Sequence, residues 1–125
     1  MGCFHVNCTV EHIADRSKSA TVEKLLVDTG SELTWLPADV LEKLGVKREK
    51  KDMAFVMANG SRITRSVGFV VLRIDDAFTV DEVVFAEPGD LSLLGARTLE
   101  GMNLTVDAPS KKLVAAGPMP AATAG

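Results

Sequence analysis

The sequence has 125 residues, of which 46% are apolar and 25% charged, and its net charge at pH 7 is −3. This length suits one domain, and the apolar content excludes an intrinsically disordered chain. The small negative charge argues against nucleic acid or an anionic membrane as a partner, and no apolar run is long enough for a transmembrane helix. We expect one domain over residues 1–116, followed by a disordered tail over 117–125 that consists of small residues and prolines.

Short valine-rich runs, divided by turn residues, predict a succession of strands. In chain order they cover 4–10, 21–27, 53–57, 62–71 with a continuation over 68–74, 78–85, 91–94, 103–107 and 113–116. Asn59-Gly60 follows the third run and is the strongest short hairpin signal in the sequence. Further turns are expected at Asp75-Asp76 and Pro88-Gly89-Asp90.

Two short helices are predicted among these strands. The first covers 38–44, with Pro37 at its first helical position and Gly45 at its end. The second covers 96–102. Many short strands with regular turns, and helices too few and too short for parallel crossovers, predict an all-β fold that forms a closed barrel or a sandwich.

The two cysteines, Cys3 and Cys8, do not have the spacing of a redox pair or a zinc knuckle. If residues 3–8 form a strand, the odd offset places the two thiols on opposite faces. We therefore expect reduced thiols and a cytoplasmic protein.

No metal site is predicted. His5 and His12 are the only histidines, and no cluster of cysteines or carboxylates completes a metal site with them. The acidic pairs Asp75-Asp76 and Asp81-Glu82 lack the ligand pattern of a calcium loop, and we interpret them as turn and edge-strand acids.

Asp28 ends an apolar strand in the segment Leu25-Leu26-Val27-Asp28-Thr29-Gly30-Ser31. The apolar approach buries the strand, and Gly30 allows the backbone to turn tightly past the carboxylate. Backbone amides and the hydroxyls of Thr29 and Ser31 are then close enough to orient that carboxylate. An ordinary turn explains the same tripeptide, so the turn by itself does not establish chemistry.

Later segments add the specificity that the turn lacks. Residues 28–37, Asp-Thr-Gly-Ser-Glu-Leu-Thr-Trp-Leu-Pro, resemble the first active-site segment of pepsin-type and retropepsin-type enzymes. The segment 56–61 falls where that family places its flap, and 93–99 is similar to the apolar-apolar-Gly segment beneath the catalytic turn. With a closing hairpin over 103–114, residues 4–116 resemble the retropepsin-like aspartic proteases, particularly their small single-domain bacterial members.

The resemblance implies a closed barrel of the acid-protease type with one or two short helices, completed as a homodimer. It also implies an aspartic endopeptidase that acts on peptide or protein substrates without a metal or cofactor. Because the sequence has a single Asp-Thr-Gly, each subunit would supply one Asp28 to a shared dyad. Two adjacent carboxyls share a proton, since both cannot ionise together at low cost.

The resemblance also implies roles for the neighbouring residues. Thr29 would hydrogen-bond across the two-fold axis, Ser31 would hydrogen-bond the Asp28 carboxylate, and Gly30 would contact the substrate backbone. The mobile flap over the substrate would contain Met57, Ala58, Asn59 and Gly60. A plain hairpin turn also explains Asn59-Gly60.

Two further expectations stay open at this stage. By resemblance, Glu32 would pair with Arg97, although this arginine lies one position later than in the usual retroviral pattern. The same fold would also suit a catalytically silent module for dimerisation or peptide binding, or a processing enzyme that trims its own termini.

Overall fold

A computed structural model describes residues 3–121, which form mostly β structure with two short helices, as the all-β prediction requires. The elements in chain order are β1 (His5–His12), β2 (Ser19–Val27), β3 (Thr34–Pro37), α1 (Ala38–Lys43), β4 (Lys50–Val56), β5 (Arg62–Ile74), β6 (Ala77–Ala86), β7 (Leu93–Leu94), α2 (Ala96–Gly101), β8 (Leu104–Asp107) and β9 (Lys112–Ala115). Within the predicted tail, residues 117–121 lie outside every helix and strand, and 122–125 lie outside the described residues. Neither described helix is long and apolar enough to cross a membrane.

Seven strands form one sheet in the order β1-β2-β7-β3-β6-β5-β4, and β1 also pairs with β5. Strand β5 serves both partners because residues 62–67 pair with β4 and residues 70–73 pair with β1. The overlapping predictions 62–71 and 68–74 are therefore one long strand. Strands β8 and β9 form a separate antiparallel hairpin, as predicted for the end of the domain.

The short strand β7 lies between β2 and β3. It pairs in parallel with β2 and antiparallel with β3. The predicted strand over 91–94 is too long, because only Leu93 and Leu94 are buried in the sheet while the side chain of Leu91 is 69% exposed. This arrangement brings the end of β2 beside β7, at the point where the Asp28 turn begins.

Strand β3 is missing from the sequence prediction, which placed Pro37 in the first turn of a helix. Pro37 instead ends β3, with φ −54° and ψ 129°, and pairs with Ala86 of β6. A proline is tolerated at a strand end, where its missing N–H interrupts few ladder bonds. The prediction was wrong because the two-residue alternation of a strand is hidden in β3, whose residues Thr34, Trp35 and Leu36 are all buried.

The end of α1 was predicted correctly. Gly45 has φ +78°, a left-handed conformation that favours glycine. Its N–H donates to the carbonyl oxygen of Glu42 at 3.0 Å, and the N–H of Val46 donates to that of Leu41 at 3.0 Å. These two bonds satisfy the last carbonyls of the helix and direct the chain towards β4.

The apolar interior has two parts. The larger part includes the fully buried side chains of Leu25, Leu36 and Phe85 and lies against both helices. The smaller part contains Leu33, Trp35, Val67, Val84, Ala86 and Leu93, with Leu26, Met53, Phe55, Met57 and Ile63 packed against it. Trp35 and Phe55 meet edge to face with ring centroids 5.2 Å apart. This smaller part supports the groove beside the Asp28 turn.

Candidate active site

Asp28 is positioned by the backbone that precedes it. Strand β2 pairs with β7 through Leu26–Leu93 and Val27–Leu94, and the N–H of Asp28 extends this pairing by donating to the carbonyl oxygen of Leu94 at 2.9 Å. The apolar residues of β2 therefore carry the carboxylate to the end of a buried strand, where its side chain is half-buried.

The turn after Asp28 wraps around the carboxylate. The N–H of Gly30 donates to Asp28 Oδ1 at 3.0 Å, and the N–H of Ser31 donates to the Asp28 carbonyl oxygen at 3.2 Å. A Cβ on residue 30 would lie 3.1 Å from Asp28 Oδ1. Glycine at this position thus allows its amide to approach the carboxylate closely.

Ser31 differs from the expectation drawn from the resemblance, while the bond of Thr29 across a two-fold axis stays a prediction. The Ser31 hydroxyl donates to the carbonyl oxygen of Leu33 at 2.8 Å, whereas we expected it to donate to the Asp28 carboxylate. The Gly30 N–H donates to the carboxylate instead, and the Ser31 hydroxyl stabilises the turn by its bond to the Leu33 backbone. Thr29 is exposed and lies outside the groove lining, where the structure gives its hydroxyl no partner within the described residues.

The segment Leu93-Leu94-Gly95 and the start of α2 hold the turn from below. The N–H of Ala96 donates to the Ser31 carbonyl oxygen at 2.8 Å, and the N–H of Arg97 donates to that of Glu32 at 3.0 Å. Gly95 lies so close that a Cβ there would be 2.6 Å from the Leu33 carbonyl carbon and closer still to its oxygen. The predicted contact between the apolar-apolar-Gly segment and the Asp28 turn is therefore present.

Glu32 and Arg97 form an ion pair with Oε2 and Nε 3.4 Å apart. The two side chains are 76% and 53% exposed. An ion pair in that much solvent contributes little to stability. The turn is therefore held mainly by the backbone N–H groups of Asp28, Ala96 and Arg97, which donate to Leu94, Ser31 and Glu32.

The carboxylate faces a groove of about 550 Å³, which lies within the usual size range of ligand pockets. Its lining comes from the turn, from β3, β4 and β7, from the β4–β5 hairpin and from the loop before β7: Asp28, Gly30, Ser31, Glu32, Leu33, Trp35, Phe55, Val56, Met57, Ala58, Gly89, Asp90, Leu91 and Leu93. Val56 and Leu91 are each 69% exposed and form apolar edges of the groove. Such a surface suits an extended apolar ligand.

The hairpin between β4 and β5 is present as predicted, although residues 57–61 separate the strands. The Met57 carbonyl oxygen accepts from the Gly60 N–H at 2.8 Å, and Asn59 Oδ1 accepts from the N–H and hydroxyl of Ser61. Met57 and Ala58 line the groove, whereas Asn59 and Gly60 form the exposed tip outside it.

Several groove residues were missed from the sequence. The alternation of Met53 and Phe55 in β4 with Met57 directly after it is a signal that could have placed Phe55 beside Met57, since all three are half-buried. Leu91 and Asp90 have no such signal, because they follow a turn whose path depends on contacts elsewhere.

The loop before β7, residues 87–91, is held by a bidentate ion pair. Arg65 Nε and Nη2 lie 2.7 and 2.8 Å from the two carboxylate oxygens of Asp90, and the N–H of Glu87 donates to the same side chain at 2.8 Å. The Arg65 guanidinium lowers the pKa of Asp90 from its ordinary value, and the Glu87 amide acts in the same direction. This pair fixes one wall of the groove.

Replacing Asp90 with Asn is expected to lower the free energy of unfolding at neutral pH by about 1 kcal/mol. Because the pKa of Asp90 is lower in the folded state, its contribution is present above the ordinary aspartate pKa and disappears as the pH falls through the folded-state pKa. Thermal unfolding should therefore separate wild type from Asp90→Asn at neutral pH and bring them together in acid. The exposed Asp76→Asn is the control, and a gap that stays constant with pH would contradict this assignment.

A second cavity, of about 530 Å³, lies beside α1 and shares Gly89 and Asp90 with the groove. Its acidic side chains are mostly paired, because Arg48 contacts Glu42 at 2.6 Å and Glu87 at 3.4 Å. Within residues 3–121 no group of three histidine, cysteine or acidic side chains is placed to hold a metal ion. Of the two cavities, the groove is the one lined by Asp28, Met57 and Ala58, so we take the groove as the candidate site.

The chain matches a known protein family. A sequence model described as aspartyl protease matches residues 15–98, which is more than half of the chain. The matched range contains the Asp28 turn, the hairpin tip and Leu93-Leu94-Gly95. No curated protein sequence matches the chain.

Proposed function

Because the chain belongs to the aspartyl protease family, we propose that it is an aspartic endopeptidase whose active site assembles from two copies of the chain. The observation that carries this proposal is the position of Asp28, half-buried at the end of β2 and facing an apolar groove beneath the β4–β5 hairpin. A carboxyl group that faces a ligand-sized groove is placed to act on a peptide bound in that groove.

We infer the homodimer from the number of catalytic carboxyl groups that the reaction needs. Hydrolysis by this route needs one carboxylate that accepts a proton and one carboxylic acid that donates a proton. The sequence contains one Asp-Thr-Gly, so one chain supplies half of the pair. In a two-fold dimer the two Asp28 side chains meet on the axis, and exposed Thr29 is free to bond across it.

The reaction then uses the pair as a single unit that carries one proton. The ionised carboxylate takes a proton from water while the water oxygen attacks the scissile carbonyl carbon, and the protonated carboxyl gives its proton to the carbonyl oxygen. Collapse of the resulting diol breaks the C–N bond as a proton passes to the leaving nitrogen. The products are a carboxylic acid and an amine, and no metal or cofactor takes part.

The surrounding residues would bind the peptide. Gly30 would contact its backbone, and Met57 and Ala58 would close over it with Asn59 and Gly60 at the moving tip. The pairing of β1 with both β2 and β5 supports a closed barrel as the scaffold. A cytoplasmic location is part of this proposal, and the free thiols of Cys3 and Cys8 are compatible with it.

The direct test is cleavage of an unfolded protein by the purified chain from acidic to neutral pH, with products identified by mass spectrometry. The proposal expects internal peptide bonds to be cut and a metal chelator to have no effect. A concentrated sample that cuts no substrate at any of these pH values would refute the proposed activity.

A further inference from the structure

Two polar side chains lie in the apolar interior of residues 3–121: Thr34 on β3 and Thr98 on α2, each with 0% exposure. They are 64 positions apart in sequence, and their hydroxyl oxygens lie 2.5 Å from each other. Burying a hydroxyl is unfavourable unless it is hydrogen-bonded. The bond between the two hydroxyls uses only one of their two protons, so the other proton needs a further acceptor.

The further partners determine which of the two hydroxyls donates to the other. Thr98 Oγ1 donates to Asp81 Oδ2 at 2.8 Å, and the N–H of Gly95 donates to Thr34 Oγ1 at 2.9 Å. A hydroxyl has one proton to donate, so Thr98 must accept from Thr34. We name the two hydroxyls the threonine bridge, because they connect the Gly95 N–H to the Asp81 carboxylate.

Asp81 ends this connection. The sequence interpretation as an edge-strand acid was wrong, because β6 lies between β3 and β5 and the side chain is half-buried. Its other oxygen accepts from the N–H of Glu82 at 2.8 Å. Burial raises the pKa of Asp81, and the bond from Thr98 opposes that change; Arg97 on α2 and Glu82 on its own strand are the charged groups near it.

At its other end the threonine bridge reaches the Asp28 turn through one peptide group. The N–H of the Leu94–Gly95 peptide donates to Thr34, and the carbonyl oxygen of the same peptide accepts from the Asp28 N–H at 2.9 Å. A peptide group is planar, so holding its N–H fixes the direction of its carbonyl. The position and orientation of the Asp28 backbone therefore depend on the hydrogen bond between the Gly95 N–H and Thr34 Oγ1.

We infer that Asp81 is a positioning residue for Asp28 and acts through the threonine bridge. The inference rests on the proposed function for its kinetic consequence, while the geometric consequence stands by itself. A dyad on a two-fold axis needs both carboxyls in register, and a displacement of about 1 Å at a reacting group costs up to roughly 100-fold in rate. The threonine bridge limits such displacement in each subunit.

The kinetic test is Thr98→Val, which keeps the shape of the side chain and removes the hydroxyl. We expect kcat to fall about tenfold with KM changed by less than about twofold, because the substrate groove is untouched while the reacting carboxyls lose register. Thr98→Ser restores the hydroxyl and should return kcat to within about twofold of wild type. Val10→Ala, a buried change in β1, is the matched control for lost stability. Equal kcat for Thr98→Val and Val10→Ala, per folded dimer, would overturn the inference.

The order of the groups is tested by a double variant. Asp81→Ala leaves the Thr98 hydroxyl without its acceptor and should also lower kcat about tenfold. If the groups act in series, Asp81→Ala/Thr98→Val is within about twofold of the slower single variant. Multiplication of the two losses to about 100-fold would show that Asp81 and Thr98 act independently, which the inference excludes.

Amide hydrogen exchange gives a measurement that does not need enzyme activity. In Thr98→Val the amides of Asp28 and Gly95 should exchange about tenfold faster than in Val10→Ala at matched global stability. Unchanged protection at both amides would overturn the inference even if the protein is a protease. An inactive wild type with the expected loss of protection would refute the proposed function and leave the positioning role intact.

Discussion

Replacing Asp28 with Asn is expected to lower kcat for peptide hydrolysis by about 10³-fold or more. A carboxamide neither accepts the proton of the attacking water nor supplies one to the carbonyl oxygen, so both halves of the dyad lose their chemistry. The fold should survive, because the Asn oxygen still accepts from the Gly30 N–H that now lies 3.0 Å from Asp28 Oδ1. Turnover of an unfolded protein substrate, followed by mass spectrometry, measures the effect.

Two controls give this result its meaning. Trp35, the single tryptophan, lies in the groove wall, so its fluorescence reports whether the variant retains the local fold. Asp39→Asn removes an exposed carboxylate on α1 and should leave kcat unchanged. If Asp28→Asn cleaves as fast as Asp39→Asn, the activity belongs to another site or to a contaminant.

Replacing Gly95 with Ala is expected to lower the free energy of unfolding by about 3 kcal/mol. The added carbon would lie 2.6 Å from the Leu33 carbonyl carbon and 2.9 Å from the Ser31 carbonyl oxygen, and both atoms belong to backbone held by other bonds. Relief requires the Asp28 turn to move away from α2. Chemical denaturation measures the loss, and the remaining folded protein should also have a reduced kcat.

Gly117→Ala, in the segment after β9, is the control for a glycine replacement without a close contact. Nothing lies within 4 Å of an added carbon there, and only the φ of +90° disfavours alanine. We therefore expect the free energy of unfolding to fall by only about 1 kcal/mol. Similar losses for the two variants would mean that the close contact at Gly95 is not what limits the position.

Local signals predicted the features that depend on neighbouring residues. Asp28-Thr29-Gly30 at the end of an apolar strand, Gly45 after α1 and Asn59-Gly60 between two strands each act through backbone conformation within a few positions. Such signals are readable without tertiary contacts. Leu93-Leu94-Gly95 was predicted from the family resemblance, and the close approach of residue 95 to the Leu33 backbone gives the physical reason for the glycine.

Features that depend on distant partners were missed or misread. Asp81 and Thr98 are 17 positions apart, Arg65 and Asp90 are 25 apart, and no pattern in the sequence connects either pair. Ser31 is the instructive case, because we expected its hydroxyl to donate to the Asp28 carboxylate and it donates to the backbone oxygen of Leu33. Competition between nearby acceptors is decided by geometry that only the folded chain defines.

Subunit mixing tests most directly whether the site is shared. Wild type at fixed concentration is equilibrated with Asp28→Asn, under conditions where sedimentation shows dimers. With a threefold excess of the variant, random pairing leaves about a quarter of wild-type subunits in wild-type dimers, so activity should fall to about a quarter. Activity that stays constant while mixed dimers form, or cleavage by a strict monomer, would contradict a site built from one Asp28 of each subunit.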